Sequence, residues 1–233
     1  MPIIVPLWFY EFGSVMYFVA AIIGALLTYF SLKLYNITRK RPHLFLTLSF
    51  LFITIGFVIL TGSNTYSHLR FEGCKPNCFI SQQQIFTRIV VANDIYYLFS
   101  IVGYSLFLLS YPIFSQKGSK NLLMQVAPPL GASALLQGPP LYVLYPFESM
   151  FFQPFHIISA ILLALIVMKT YSNYRKSKSD IAFLIPAGFS MILLYHILMF
   201  SVPFFPLFFA FAHLSLLAGF SLLLWMLVRV TKR

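Results

Sequence analysis

The sequence predicts an all-α integral membrane protein with seven transmembrane helices, its N-terminus outside the cell and its C-terminus inside. Of its 233 residues, 60% are hydrophobic or aromatic and 9% are charged, whereas soluble domains average about 45–50% apolar and about 25% charged residues. The apolar residues form stretches of about 20, the length at which an α-helix crosses the hydrocarbon core of a bilayer. This composition excludes a water-soluble globule, a disordered chain and a nucleic-acid-binding arm.

Seven such stretches follow one another, separated by short hydrophilic segments except at residues 63–85. They lack the alternating polar positions of transmembrane β-strands, so helices are favoured over a barrel. The whole chain, 1–233, is therefore predicted to be a single polytopic domain in the cell membrane. We place the spans at 12–34, 43–62, 86–114, 122–145, 152–172, 181–201 and 206–228.

The distribution of basic residues predicts the orientation. Of the 16 Lys and Arg residues, 13 lie on one side of the predicted spans, and only Arg70, Lys75 and Arg88 lie on the other. Lys and Arg are enriched in cytoplasmic loops, so the N-terminus is expected outside and the C-terminus inside. The same asymmetry accounts for the net charge of +11, and we find no direct nucleic-acid-binding motif.

Two sequence matches predict an internal repeat. The pattern K-x-Y-x-x-x-R-K occurs at 33–40 and again at 169–176, an offset of 136. The segment GYSLFL at 103–108 resembles GFSLLL at 219–224, an offset of 116. The long outer loop accounts for the difference between the offsets. An alternative is that both matches reflect features common to membrane helices, namely a basic stop and small residues at helix contacts.

The repeat predicts two parallel three-helix units, 12–114 and 152–228, joined by a linker helix at 122–145. This layout is similar to that of the sugar-transporting SWEET and PQ-loop proteins, although the Pro-Gln dipeptide of the PQ-loop family is absent. Seven-helix receptors and rhodopsins share the helix number. A retinal Schiff base is not expected, because no lysine lies deep in the seventh span.

The linker helix carries two Pro-Pro pairs, at 128–129 and 139–140, with small and polar residues between them. Prolines bend a helix and free backbone carbonyls that protein or water must satisfy. Transporters bind substrate at broken helices of this kind. Ser133 and Gln137 are therefore candidates for a substrate pathway, while a kinked linker packed through its small residues is the alternative.

Four ionisable residues lie well inside predicted spans, away from the span ends, each on a different helix: Asp94, His156, His196 and His213. A charged group at the bilayer centre costs about 2.5–3.5 kcal/mol, so each of them needs an explanation. At about 1.5 Å per residue, all four lie roughly 6–12 Å below the outer surface. We expect a shared polar site in the outer leaflet, with Asp94 and Tyr97 lining a substrate pathway.

Two kinds of chemistry fit such a site. Neutral imidazoles from different helices are ligands of b-type haem, copper or zinc, and His156, His196 and His213 are the candidates. Alternatively, Asp94 and a histidine form a protonatable pair in a transport pathway. A third interpretation needs no ligand, because each histidine can hydrogen-bond a neighbouring carbonyl or hydroxyl group. No HExxH-type metal motif decides between them, so the cofactor is left unassigned.

Cys74 and Cys78 lie in the long outer loop. Three residues, including a Pro-Asn turn, separate them, which allows the two sulfurs to meet in a small ring. The outside of the cell is usually oxidising. We therefore expect a structural disulfide, and the CxxxC spacing does not match the CxxC of thioredoxin-like redox proteins.

Two classes of function remain. The first is a multi-pass component of a transport or translocation system, which moves a small solute or, with partner proteins, a macromolecule. Other membrane subunits are expected as partners, and an ATPase if transport is active. The second is a haem- or copper-binding subunit of a respiratory electron-transfer complex. An enzyme is not favoured, because GxSxG, Walker and GxGxxG motifs are lacking and an intramembrane aspartyl protease needs two carboxylates where one is present.

Overall fold

Six α-helices account for almost all of the residues that the structure describes. In the computed structural model these are residues 8–72, 79–110 and 152–231, apart from positions 203 and 206, and no strand occurs among them. The helices are α1 (Trp8–Thr38), α2 (Arg41–Glu72), α3 (Phe79–Ser110), α4 (Phe152–Ser177), α5 (Asp180–Ser201) and α6 (Phe208–Thr231).

Each of the six helices includes a segment long and apolar enough to cross a membrane, at the position of a predicted span. The protein is therefore a multi-pass, all-helical membrane protein, and this part of the prediction is confirmed. The remaining predicted span, 122–145, lies outside the described residues together with Ser133 and Gln137. Cys74 and Cys78 also lie outside them, so their disulfide stays a prediction.

The outer loop is shorter than the sequence predicts. Residues 63–85 are expected to connect the second and third spans, but α2 continues to Glu72 and α3 begins at Phe79. Each helix has 32 residues. At about 1.5 Å per residue such a helix is about 48 Å long, against about 30 Å for the hydrocarbon core. Each helix is thus longer than a membrane span, and at the ends of the candidate spans the Arg88 guanidinium donates a hydrogen bond to the Tyr66 hydroxyl at 3.0 Å.

Two short turns join α1 to α2 and α4 to α5. The first consists of Arg39 and Lys40, and the second of Lys178 and Ser179. Arg39 has φ 53° and Lys178 has φ 50°, the left-handed conformation that ends many helices. The backbone N–H of each donates to the carbonyl four residues earlier, at 2.7 Å and 2.8 Å. Each pair of helices is therefore a tight αα-hairpin.

The six helices pack in a closed ring. Helices α1, α2 and α3 pack in succession, as do α4, α5 and α6, and we call these groups the first and second triplets. The triplets meet where α3 packs against α4 and where α6 packs against α1. Packing is more extensive within each triplet than between them. We call the interface between the triplets the seam.

Aromatic side chains fill the centre of the ring. Phe57 of α2 lies 5.7 Å from Phe220 of α6, and Phe107 of α3 lies 5.1 Å from Phe189 of α5, both edge to face. Outward-facing positions are apolar too, among them Met168, which is 69% exposed. Helices that are apolar on both their inner and outer faces are typical of a bundle surrounded by lipid.

Candidate functional site

A hydrogen-bonded chain of three buried side chains crosses the seam. Nδ1 of His156 lies 2.9 Å from Nδ1 of His196, and Nε2 of His196 lies 3.0 Å from the Tyr104 hydroxyl oxygen. None of the three side chains is more than 1% exposed. The second bond joins the two triplets, because Tyr104 belongs to α3 and His196 to α5.

The helix hairpin of the second triplet brings the two histidines together. His156 lies near the start of α4 and His196 near the end of α5, and these positions are at the same level in an antiparallel pair. On α3, Tyr96, Ser100 and Tyr104 are spaced by four residues, so they share one helix face. That face turns inward, since all three are buried.

The contact between the Nδ1 atoms determines where the hydrogens lie. A neutral imidazole carries one ring N–H and one bare nitrogen, and a gap of 2.9 Å holds a single hydrogen. One ring therefore donates and the other accepts. When Tyr104 donates to Nε2 of His196, that ring carries its hydrogen on Nδ1 and donates it to His156. In this arrangement both contacts of the chain are hydrogen bonds.

Aromatic rings surround the histidine pair. Phe152 and Phe155 lie 4.5 Å and 4.9 Å from the His156 ring, between ring centroids. Tyr195 of α5 lies 6.1 Å from the same ring, and Tyr97 of α3 lies 6.4 Å from it. These rings enclose the pair, and aromatic π-systems also attract a nearby cation.

His213 of α6 is a third buried histidine, and it takes no part in the hydrogen bonds that link His156, His196 and Tyr104. Its Nδ1 contacts the Phe209 carbonyl oxygen at 2.7 Å. Because a carbonyl only accepts, the ring hydrogen sits on Nδ1 and leaves Nε2 of the neutral ring as a bare acceptor. Nε2 is buried and has no hydrogen-bond partner among the described residues. The ring lies 4.9 Å from that of Tyr17 on α1, so His213 also contacts the first triplet.

The Ser159 hydroxyl is also buried with no hydrogen-bond partner in the described part of the chain. The buried hydroxyl of Tyr96 lies close enough to interact with those of Ser100 and Tyr195. The other buried Ser and Thr hydroxyls donate to backbone carbonyls, as Thr54 does to Phe50 at 2.6 Å. A buried polar atom left unpaired costs about 1–3 kcal/mol. Ser159 lies on α4, which meets α3 at the seam, and its hydroxyl can bond a polar ligand there.

The structure brings together some of the predicted site residues and not others. His156 and His196 are in direct contact, whereas His213 makes a separate bond to its own helix. Asp94 is half-buried on α3 and interacts electrostatically with Tyr97. Tyr97 stacks on Phe155 with 4.2 Å between ring centroids. Phe155 also contacts the His156 ring, so it connects Tyr97 and Asp94 of α3 to the histidine pair.

Sequence reasoning did not identify the tyrosines of the site. Tyr96, Tyr104 and Tyr195 look like packing aromatics in a chain that contains 14 Tyr and 27 Phe residues. The four-residue spacing that joins Tyr96, Ser100 and Tyr104 was the available signal, because it places three hydroxyls on one helix face.

The predicted haem or copper site can be compared with the positions of the histidines. No group of three His, Cys, Asp or Glu side chains could hold a metal ion among the residues described. A haem with two axial histidines lies between the two imidazoles, but the rings of His156 and His196 contact each other directly. The pair therefore does not fit such a haem in this arrangement, and the haem or copper assignment stays a prediction from the sequence.

Known proteins offer no relative for comparison. No family model matches the chain, and neither a curated protein nor a solved structure matches it. Its function is therefore argued from the geometry of its own residues.

Proposed function

We propose that the protein is a component of a membrane transport or translocation system whose substrate pathway runs along the seam. One observation carries this proposal: each buried histidine contacts a tyrosine of the other triplet. Ionisable groups inside a bilayer mark substrate and proton pathways. The contacting pairs are His156 with Tyr97, His196 with Tyr104 and His213 with Tyr17.

Burial supports the view that the two triplets are repeats. Adding 139 to a position in α1 or α2 gives its counterpart in α4 or α5, and the turn residues Arg39 and Lys178 correspond in the same way. The buried stripe of α1 recurs on α4 at this offset. Its members Gly13, Tyr17, Ala20, Gly24, Leu27 and Ser31 correspond to Phe152, His156, Ser159, Leu163, Ile166 and Thr170, all of them buried.

The third helices of the triplets support the same correspondence, at the offset of 116 that the sequence predicts. A Cβ added to Gly103 would lie 3.1 Å from the Ser49 carbonyl oxygen, and one added to Gly219 would lie 2.7 Å from the Gly188 carbonyl oxygen. Ser49 and Gly188 are themselves counterparts at the offset of 139. The same close helix contact thus occurs in both triplets, and it requires glycine on the third helix.

Ring contacts at the centre also recur. Tyr17 and Phe57 correspond to His156 and His196, and Tyr97 corresponds to His213. Three of these contacts have a counterpart when the triplets are exchanged, as a two-fold relation predicts. Tyr17–Phe57 at 6.0 Å matches His156–His196 at 5.1 Å, Phe57–Phe220 at 5.7 Å matches Tyr104–His196 at 5.5 Å, and Tyr17–His213 at 4.9 Å matches Tyr97–His156 at 6.4 Å.

The offset of 136 that the sequence predicts for the first helices is not the one that burial supports. The supported offset is three residues longer, close to one helical turn. The reason is that the K-x-Y pattern belongs to exposed basic residues at a helix end, which are not constrained by packing. Buried positions are constrained, and those of α2 favour an offset of 139, since Ser49, Phe50, Ile53 and Phe57 correspond to Gly188, Phe189, Ile192 and His196, all of them buried.

The ends of α3 and α4 support a seventh span. The Tyr97 ring contacts that of Phe152 at 6.4 Å, so the start of α4 is level with the middle of α3. Ser110 ends α3 13 residues after Tyr97, which is about 20 Å further along the helix axis. The proposed linker helix at 122–145 would return the chain from the end of α3 to the start of α4.

The proposed orientation follows from the same geometry. Because α3 and α4 run in the same direction, both hairpin turns lie toward the end of the bundle at which α3 ends. These turns carry Arg39, Lys40 and Lys178. Positive charge in short loops is typical of the cytoplasmic side, so the N-terminus is placed outside.

Transport would proceed by movement of one triplet against the other. Packing across the seam is the less extensive, and transporters with paired repeats alternate access to a site at the repeat interface. The polar atoms of the seam would then face first one side of the membrane and then the other. Transport against a gradient would need an ATPase, further membrane subunits or a coupling ion.

Counterflow in proteoliposomes tests the proposal with a mixture of solutes in place of a single chosen substrate. Vesicles holding the purified full chain are loaded with a mixture of amino acids, monosaccharides, nucleosides and organic acids. The same mixture, isotopically labelled, is supplied outside. We expect mass spectrometry to find at least one labelled solute exchanged above the level of protein-free vesicles.

Asp94→Asn is expected to slow this exchange while membrane insertion is unchanged, because Asp94 interacts with Tyr97 beside the histidine pair. Asp180→Asn is the matched control, since Asp180 is an exposed acid at the start of α5. Absence of any exchange by the unmodified protein would refute a solute transporter. Equal exchange by Asp94→Asn would remove Asp94 from the pathway.

A further inference from the structure

We infer that His156 and His196 together form a binding site for one proton, and that this proton is the coupling ion of the transport reaction. The binding site is argued from side-chain geometry alone. The coupling rests on the proposed function.

Hydrogen counting gives the capacity of the site. Two neutral imidazoles carry two ring hydrogens, and the 2.9 Å gap between the Nδ1 atoms holds one of them. The other occupies one Nε2, which leaves the second Nε2 bare. One added proton fills that position and gives an imidazole–imidazolium pair with an N–H between the rings. A second added proton would place two hydrogens in the gap, so the pair in contact binds one proton and no more.

Burial of both rings opposes a positive charge on the pair, and neighbouring aromatic rings offset part of this cost. Neither ring makes an ion pair with a carboxylate among the described residues, while Phe152 and Phe155 lie within 5 Å of the His156 ring. Aromatic π-systems attract such a cation. The titratable groups that face the pair are Tyr97 and Tyr104 from α3, Tyr195 from α5 and His213 from α6, with Tyr17 of α1 facing Tyr195.

Protonation of the pair changes the hydrogen bond between His196 and Tyr104, which crosses the seam. With the pair neutral, the Tyr104 hydroxyl can donate to Nε2 of His196. Once Nε2 carries a hydrogen, it must donate to the Tyr104 oxygen instead. The Tyr104 hydrogen then has to find another acceptor, which a buried hydroxyl at this position lacks among its described contacts. Proton binding therefore reverses the direction of the hydrogen bond that joins the triplets and leaves the Tyr104 hydrogen without an acceptor among the described residues.

Two residues of the first triplet suggest how His156 and His196 can be replaced without loss of packing. Tyr17 and Phe57 occupy the counterpart positions and make a stacked ring contact at 6.0 Å. The double variant His156→Tyr/His196→Phe gives the second triplet the same two residues and removes the proton site. Phe57→Leu is the matched control, because it alters a buried ring of the centre that has no nitrogen.

Nuclear magnetic resonance of the full chain in lipid nanodiscs, with nitrogen-15 in its five histidines, measures the site directly. We expect a coupling between two Nδ1 atoms through one hydrogen, and uptake of a single proton by the coupled pair as the pH is lowered. Both signals should vanish in His156→Tyr/His196→Phe and persist in Phe57→Leu. Independent titration of His156 and His196, no uptake at all, or a haem or metal ion bound by the purified protein would each overturn the site.

Proteoliposomes test the coupling separately. A pH-sensitive dye inside the vesicles should report proton entry with any solute that the counterflow experiment identifies, and His156→Tyr/His196→Phe should lose this proton entry. Solute movement without proton movement would overturn the coupling and leave transport standing. If the pair binds a proton but the protein exchanges no solute, the proton site stands, while transport and its coupling are overturned.

Discussion

Imidazole takes the place of an aromatic ring at three positions in the centre of this protein. A histidine ring packs much as a phenylalanine ring does, but it carries two nitrogens that must be paired or left unpaired. His196 pairs both of its nitrogens, whereas His213 pairs one. A buried histidine therefore either bonds through both of its nitrogens or keeps one nitrogen as a bare acceptor, depending on whether a neighbouring side chain offers a hydrogen-bonding group.

Tyr104→Phe tests the importance of that pairing. The substitution keeps the ring but leaves Nε2 of His196 buried without its partner. We expect the free energy of unfolding to fall by about 1–3 kcal/mol, measured by denaturant or thermal unfolding in detergent micelles. Tyr171→Phe is the control, since Tyr171 is 50% exposed and its loss should change little. Equal stability of Tyr104→Phe and the unmodified protein would show that the bond is not made.

The histidines could be found from the sequence and their partners could not. His156 and His196 stand out because ionisable residues are rare within apolar spans. Tyr104 does not stand out, since tyrosine is common in this chain and is equally at home in a core or at a membrane surface. Which ring reaches which nitrogen depends on how α3 is rotated against α5, and one helix alone does not specify that rotation.

Among helix contacts, the closest approaches are made by glycine. Gly219→Ala would place a Cβ within 2.7 Å of a backbone oxygen of α5, so the helices must move apart. We expect a lower unfolding temperature in detergent, with overpacking costs of about 1–3 kcal/mol.

Gly62→Ala is the matched control for this substitution. Nothing lies within 4 Å of a Cβ at Gly62, and Ala is the better helix former by about 1 kcal/mol. Unfolding at a raised or unchanged temperature is expected. If Gly219→Ala behaved in the same way, the close contact between α5 and α6 would be contradicted.

Hydropathy predicted where six of the helices lie along the sequence, but it did not predict where each helix begins and ends. An apolar run of about 20 residues in a chain of this composition leaves few alternatives to a membrane span. Beyond the bilayer, hydropathy no longer distinguishes helix from loop. The polar residues from Ser63 to Glu72 therefore read as part of a loop although they continue α2.

Orientation of the whole bundle can be tested by cysteine labelling. In a Cys74→Ser/Cys78→Ser background, Lys178→Cys should react with a membrane-impermeant maleimide only after cells are opened, if the hairpin turns face the cytoplasm as proposed. Leu69→Cys, at an exposed position near the end of α2, should react in intact cells. The opposite pattern would invert the proposed topology.

The proposed repeat could be predicted from the sequence only in part. The match around Gly103 and Gly219 was detectable because a helix contact restricts both positions to glycine. The correspondence of Tyr17 with His156 was not, since the two residues share a place in the packing and no chemical group. Self-similarity of this kind lies in the burial pattern and becomes visible once the helices are assembled.

The unequal chemistry of the two triplets makes them unequal in their tolerance of mutation. Where the first triplet carries Phe57, a substitution need only preserve a flat side chain of similar volume. Where the second carries His196, it must preserve two nitrogens as well. In a saturation library selected for function, the aromatic positions of the first triplet should accept several residues, and His156 and His196 should accept none but histidine.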